Sequence, residues 1–137
     1  RTGGRTGALL YPVHAHLQRN RSAGDGGAAA LEMARSGVDL QGVVSFHGGL
    51  KTPQGQDYAD TSTEILIMHG AADKAISMQE FAELSKELEA FNVPNEMIAY
   101  GGADHAFTVF GIDRYHAEAD KKSWQRLLQF LDEKRPE

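Results

Sequence analysis

A continuous apolar run, EILIMHG at residues 64–70, constrains the fold more than any other stretch of the sequence. A strand with one face in water alternates apolar and polar residues, whereas this run has no polar face. Its length suits a strand and is short for a buried helix. The run therefore predicts a central strand of a parallel sheet that is covered on both faces.

The segments on either side of this run alternate between helical and extended patterns. Helices are predicted at residues 28–36, 77–91 and 117–135. Further strands are predicted at residues 42–49 and 95–102. The second helix opens with a capping box, since Ser77 is followed three residues later by Glu80. The order helix, strand, strand, helix, strand, helix indicates an α/β fold in which helices flank a parallel sheet.

The two later helices each show an apolar face that we expect to pack into the core. In the second helix this face consists of Met78, Phe81, Leu84, Leu88 and Phe91. In the last helix it consists of Trp124, Leu127, Leu128 and Leu131. Residues at these spacings lie on one side of a helix. We interpret Phe46, Phe107 and Trp124 as core or pocket-lining aromatic residues.

The composition argues against several classes of function. The 137 residues include no cysteine, which rules out disulfides and thiolate chemistry. A net charge of −5 argues against a nucleic-acid partner, because binding to phosphates needs a surplus of lysine and arginine. No apolar run approaches the roughly 18 residues that span a bilayer, so we expect no membrane partner and a cytoplasmic location.

The first 25 residues differ in composition from the rest. They hold four arginines, no lysine and a single acid, Asp25, whereas residues 26–137 are acidic overall. Their one apolar patch, residues 8–11, is followed by Pro12 and has no sustained period. We therefore predict an irregular N-terminal arm over residues 1–25 and one globular domain over the remainder. Because the first residue is not Met, we expect a fragment or a processed chain.

Two polar residues follow predicted strands, at the edge where the sites of parallel sheets lie. Asp73 comes three residues after the run 64–70, and His105 occupies the loop after the next strand, in GGADHAFT. If the two strands are neighbours, these side chains can meet above the sheet. A carboxylate bound to one imidazole nitrogen fixes the tautomer and leaves the other nitrogen as a base. Asp73 and His105 are therefore the candidate acid and base of a hydrolytic site.

Several stretches together carry a more specific resemblance. They are GGAAALEMARSG through LQGVVSFHGGL, ILIMHGAADKAIS, YGGADHAFT and AEADKKSWQRLLQFL. Over about residues 26–131 the chain resembles the C-terminal portion of the dienelactone hydrolase family, a group of α/β-hydrolases. The resemblance implies a partial, truncated α/β-hydrolase fold in which Asp73 and His105 are the catalytic acid and base. It also implies a hydrolase of small esters or lactones that uses no cofactor.

The nucleophile position departs from the family pattern. The family's elbow reads G-x-C-x-G-G, whereas residues 22–27 read SAGDGG, which places Gly24 at the cysteine position. Ser22, the nearest hydroxyl, stands two residues early, and reactive geometry tolerates little displacement. We therefore expect no nucleophile, and weak or absent hydrolysis. Val109 stands where dienelactone-cleaving members place an arginine, so that particular substrate is not expected.

Two other interpretations remain open. His47 and His69 also end predicted strands and could form a metal cluster with the candidate acid and base, but the sequence gives no convergent geometry. Ordinary packing at strand ends is the favoured interpretation, and we predict no metal site. The second interpretation is a noncatalytic binding or assembly module. A half-fold exposes a sheet edge and apolar helix faces, which favours association, so we expect a homo-oligomer.

Overall fold

The structure is a computed structural model that describes residues 8–10 and 25–135. This part of the chain contains four strands and three helices. In chain order they are β1 (Ala8–Leu10), α1 (Asp25–Arg35), β2 (Leu40–Phe46), β3 (Glu64–Gly70), α2 (Met78–Ala90), β4 (Asn95–Tyr100) and α3 (Ala117–Glu133). The predicted order of helices and strands is confirmed from α1 onwards. The structure shows one further strand, β1, before α1. None of the helices in this described part is long and apolar enough to cross a membrane.

The strands form one parallel sheet in the order β1-β2-β3-β4, so each strand lies beside the next one in the chain. β3 is interior, with Ile67 opposite Ser45 on one side and Met97 on the other. Its bounds match the predicted run 64–70. Because the strands are parallel, the loops after β2, β3 and β4 leave the sheet at the same edge.

The side chains of β3 alternate between two buried cores, one on each face of the sheet. Ile65 and Ile67 pack with buried residues of α1 and α2. Leu66 and Met68 pack with buried residues of α3. All four side chains are at most 1% exposed. This burial on both faces explains why the run has no polar side.

Helix α2 begins as the capping box predicts. The Ser77 hydroxyl accepts a hydrogen bond from the Glu80 N–H, and the Glu80 carboxylate accepts one from the Ser77 N–H, both at 3.2 Å. The predicted apolar face packs only over its middle, where Leu84 is buried. Its end residues, Met78 and Phe91, are each 40% exposed.

The predicted apolar face of α3 is wrong in part. Trp124 and Leu128 are 55% and 51% exposed. The residues that α3 buries are Ala119, Ser123, Leu127 and Phe130. Phe130 lies against β2 at Gly42, where a Cβ would come within 2.6 Å of the ring. The flat surface left by this glycine receives the large ring, and the helix therefore turns Trp124 and Leu128 outwards.

Some element boundaries differ from the predictions by two or three residues. Helix α1 begins at Asp25, three residues earlier than predicted, and β2 covers Leu40–Phe46 instead of 42–49. Within the predicted N-terminal arm, Ala8–Leu10 forms a strand that pairs with β2. Most of that arm lies outside the described residues, and the boundary between arm and domain stays a prediction.

Candidate active site

Asp73 lies in the turn that follows β3, and backbone groups hold its carboxylate. Oδ1 accepts hydrogen bonds from the N–H groups of Ala75 and Ile76, both at 2.8 Å. Aspartate favours such turns because its short side chain can accept bonds from nearby backbone amides. The Asp73 side chain is fully buried. Its second oxygen, Oδ2, points to the neighbouring loop.

The loop after β4 brings His105 to that second oxygen. Nδ1 of His105 lies 2.9 Å from Oδ2 of Asp73, and the His105 side chain is 5% exposed. Because an ionised carboxylate can only accept, a neutral His105 carries its proton on Nδ1 and leaves Nε2 basic. The predicted meeting of the two side chains is confirmed, and their role in catalysis stays a prediction. We call Asp73 and His105 the acid–base pair.

The loops that carry the acid–base pair press together at Gly70. The N–H of Ala72 donates to the carbonyl oxygen of Ala103 at 2.9 Å. A Cβ on Gly70 would clash with that same oxygen and would lie 2.8 Å from the carbonyl oxygen of Asp104. A glycine at this position therefore permits the close approach of the two loops.

Asp104 joins the two loops from the side. Its Oδ1 accepts hydrogen bonds from the N–H of Lys74 at 3.1 Å and from the N–H of His105 at 2.6 Å. The His105 N–H holds the pKa of the Asp104 carboxyl below its ordinary value. The sequence analysis did not single out this residue. An aspartate next to the loop histidine, opposite the turn after the neighbouring strand, is the signal that could have identified it.

A second histidine lies against the acid–base pair. The ring of His47 is 5.7 Å from that of His105, and its Nε2 lies 2.9 Å from Oγ1 of Thr108. His47, with a φ of 39°, and Ala106, with a φ of 60°, have left-handed backbone conformations that few residues other than glycine adopt. Strained positions of this kind cluster at functional sites.

The N-terminus of α1 packs directly on the end of β2. A Cβ on Gly27 would lie 2.5 Å from the Cα of Gly48 and 2.5 Å from the Ser45 hydroxyl. Glycines at both contacting positions let the helix and the strand approach this closely. Gly24, the residue expected at the position of the family's cysteine, directly precedes α1 in the sequence, but it and Ser22 lie outside the described residues.

His69, the second-last residue of β3, is fully buried and stacks on Phe81 with a ring separation of 5.5 Å. Neither ring nitrogen has a hydrogen-bond partner of normal geometry among residues 25–135. Burial lowers the pKa of His69 below its ordinary value, because a charged ring would lose its hydration. Within the same residues, no three histidine, aspartate or glutamate side chains are placed to hold a metal ion.

We expect the burial of His69 to make the protein less stable as the pH falls below about 6.5. Its pKa is lowered in the folded state, so the unfolded chain takes up a proton that the folded chain does not. Protonation of His69 should therefore leave the free energy of unfolding unchanged above the ordinary histidine pKa. Below that pKa, the free energy of unfolding should fall by up to about 1.4 kcal/mol per pH unit.

Urea unfolding of variants at neutral and mildly acidic pH checks this pH dependence. His69→Leu removes the titrating group, so its free energy of unfolding should depend less steeply on pH than that of the parent. Met68→Leu changes the neighbouring core residue without removing a titrating group and should follow the parent. Parallel pH profiles for all three proteins would contradict the expected role of His69.

Comparisons with known proteins identify the family of the chain. The model of the dienelactone hydrolase family matches residues 25–134. The chain is 34% identical over 119 residues to the uncharacterized protein K02A2.1 of Caenorhabditis elegans, covering 79% of this chain and 74% of that protein. The solved structure of the dienelactone hydrolase-like promiscuous phosphotriesterase P91, from metagenomic libraries, is 31% identical with a TM-score of 0.71. That similarity covers 80% of this chain and 49% of the other.

A second solved structure, m3DLH, is 29% identical with a TM-score of 0.74, over 82% of this chain and 50% of the other. The chain thus spans about half the length of these two solved structures, in agreement with a partial α/β-hydrolase fold. The family match includes α1 through α3 and both loops that carry the acid–base pair. The chain belongs to the dienelactone hydrolase family.

Proposed function

We propose that this protein keeps the acid–base pair of an ester or lactone hydrolase and lacks its nucleophile. The observation that supports this proposal most directly is the 2.9 Å contact between Nδ1 of His105 and Oδ2 of Asp73, whose side chain is fully buried. Such a contact favours general-base catalysis by His105, because it fixes the imidazole tautomer. Gly24 stands at the cysteine position and has no side chain that could attack. The proposal is therefore that hydrolysis by the parent chain is weak or absent.

The proposed reaction of the parent is attack by a water molecule or a hydroxyl group on the acyl carbon. Nε2 of His105 removes the proton of the water molecule or hydroxyl group, while the oxygen of that group bonds to the acyl carbon. The Asp73 carboxylate keeps the Nδ1 proton in place and stabilises the imidazolium that forms. The proton then passes from Nε2 to the departing alcohol oxygen as the bond between acyl carbon and oxygen breaks. No cofactor takes part in these steps.

Gly24→Cys supplies the missing group and tests the proposal directly. We expect the parent to hydrolyse short acyl esters and lactones near the background rate, and Gly24→Cys to be faster by about tenfold or more. In this variant Nε2 of His105 takes the thiol proton, the thiolate attacks the acyl carbon, and the alcohol leaves with that proton as the bond between acyl carbon and oxygen breaks. Water then hydrolyses the thioester, which releases the acid and restores the thiol. The measurement is the rate of alcohol or acid release, with His105→Ala made in both backgrounds.

Ala23→Cys is the matched control, because it places a thiol one residue from the elbow position, where reactive geometry is lost. Activity that appears in Gly24→Cys and disappears on adding His105→Ala would support the proposal. Parent turnover well above background that His105→Ala abolishes would show that the parent already has an attacking group, which is a water molecule or a hydroxyl group such as that of Ser22. No turnover by any variant would contradict a preserved site and favour the second candidate function.

That second candidate is a noncatalytic assembly module, and the exposed apolar side chains of α3 favour it. Trp124 and Leu128 are one helical turn apart and are each more than half exposed. An apolar strip of this kind favours association with another copy of the chain. Light scattering at micromolar concentration should then give the mass of a homo-oligomer, and Leu128→Asp should reduce that mass. A monomeric mass for the parent would contradict this candidate.

A further inference from the structure

A groove opens near the acid–base pair, at the carboxyl end of β2. Its volume is about 400 Å³, which lies within the range of small-molecule sites. The described residues that line it are Phe46, Thr108, Asp120, Lys121 and Trp124. Thr108 connects the groove to the pair, because its hydroxyl contacts His47, whose ring lies 5.7 Å from that of His105.

Two of the described residues that line the groove are aromatic. Phe46 is the last residue of β2 and is half-buried against the core on the α3 face of the sheet. Trp124 lies on α3 and is 55% exposed, so a large part of its ring is accessible to a ligand. Aromatic rings pack favourably against other rings, offset-stacked or edge to face. The groove walls therefore favour a planar ring.

Among the described lining residues, the charged side chains leave no surplus of either sign. Asp120 and Lys121 are adjacent in α3 and carry opposite charges. The Asp120 carboxylate accepts a hydrogen bond from the Tyr115 hydroxyl at 2.9 Å. An anionic ligand would meet this carboxylate and would also lose its hydration, whereas an uncharged ligand would not bear that cost.

We propose that the groove binds the uncharged aryl group of an ester, packed against Phe46 and Trp124. This inference rests on the proposed function, since it names the substrate class of the same site. The ester carbonyl would then lie towards Thr108 and His105, where the reaction requires proton transfer. The substrate class is therefore neutral aryl esters.

Trp124 is the only tryptophan of the sequence, so its fluorescence reports on the groove. Benzamide serves as the uncharged aryl probe, and benzoate as an anion of nearly the same size and shape. In titrations of the full chain, we expect a saturable change in emission with benzamide and about tenfold weaker binding of benzoate. Phe46→Ala should weaken benzamide binding by about tenfold. Gln129→Ala, an exposed position on α3 that is not among the groove's described lining residues, should leave benzamide binding unchanged.

Phe46→Leu keeps an apolar side chain without a ring and covers the case in which Phe46→Ala does not fold, as circular dichroism would reveal. We expect it to weaken benzamide binding by about threefold. No saturable change with benzamide, equal binding of benzoate, or unchanged binding by Phe46→Leu would overturn the inference.

The fluorescence titration is independent of turnover, so it separates this inference from the proposed function. An inactive Gly24→Cys variant that binds benzamide would refute the proposed function and leave the aryl-binding groove in place. An active Gly24→Cys variant that does not bind benzamide would refute the groove and leave the proposed function in place.

Discussion

In the Gly24→Cys background, Asp73→Asn should lower kcat/KM for ester hydrolysis by about tenfold or more, to near the value of the parent chain. An asparagine at this position can keep its carbonyl oxygen on the N–H groups of Ala75 and Ile76. Its amide group would then donate to Nδ1 of His105 and favour the tautomer that is protonated on Nε2. That nitrogen could no longer accept the proton of the nucleophile. Activity should therefore fall while the fold is retained.

Two measurements separate this tautomer effect from general damage. In the parent background, where no turnover is needed, the nitrogen chemical shifts of His105 should show the proton on Nε2 in Asp73→Asn. Asp104→Asn is the matched control, because the Asp104 carboxylate accepts from backbone N–H groups of the same loops. It should lower kcat/KM in the Gly24→Cys background by less than about threefold. Equal losses in both variants, or an unchanged tautomer, would contradict the proposed role of Asp73.

The second large effect is on stability: Gly70→Ala should lower the free energy of unfolding by about 3 kcal/mol. The added methyl group meets the Ala103 carbonyl oxygen, which already accepts a hydrogen bond from Ala72 at 2.9 Å. It also lies 2.8 Å from the Asp104 carbonyl oxygen. Both oxygens belong to the backbone, so they cannot move aside as the end of a flexible side chain would. The two loops must separate, which weakens the contact between the acid and the base.

Gly101→Ala is the matched control for this substitution. A Cβ at Gly101 has no atom within 4 Å, so its free energy of unfolding should stay within about 0.5 kcal/mol of the parent value. Urea unfolding of the two variants and the parent gives the comparison. A similar loss of unfolding free energy in both variants would mean that replacing either glycine destabilises the protein. It would contradict the close approach at Gly70 as the cause.

The contact within the acid–base pair could be predicted because a parallel sheet relates sequence position to position in space. The apolar run at 64–70 identifies β3, and β4 pairs beside it in parallel. The loops after neighbouring parallel strands leave the sheet at one edge. Asp73 and His105 lie in those two loops and meet at 2.9 Å. The sequence analysis therefore located the contact, whereas the catalytic role of the pair stays a prediction.

The buried face of α3 could not be predicted from spacing, because the helix carries more apolar residues than one face can hold. The choice between Phe130 and the pair Trp124 and Leu128 depends on Gly42, a residue of β2 far away in the sequence. Strand β1 has only three residues, too few for a period to appear. The role of Asp104 depends on bonds to backbone N–H groups, which residue patterns do not reveal.

The order of the strands in the sheet, which equals their order in the chain, has a consequence for folding. Every pairing among the described strands joins consecutive strands, which keeps contact order low. Asp73 and His105 are 32 positions apart and are connected by the unit β3, α2 and β4. Both groups of the proposed proton transfer therefore belong to one βαβ unit, whereas Gly24, the expected position of the attacking group, lies before that unit in the chain.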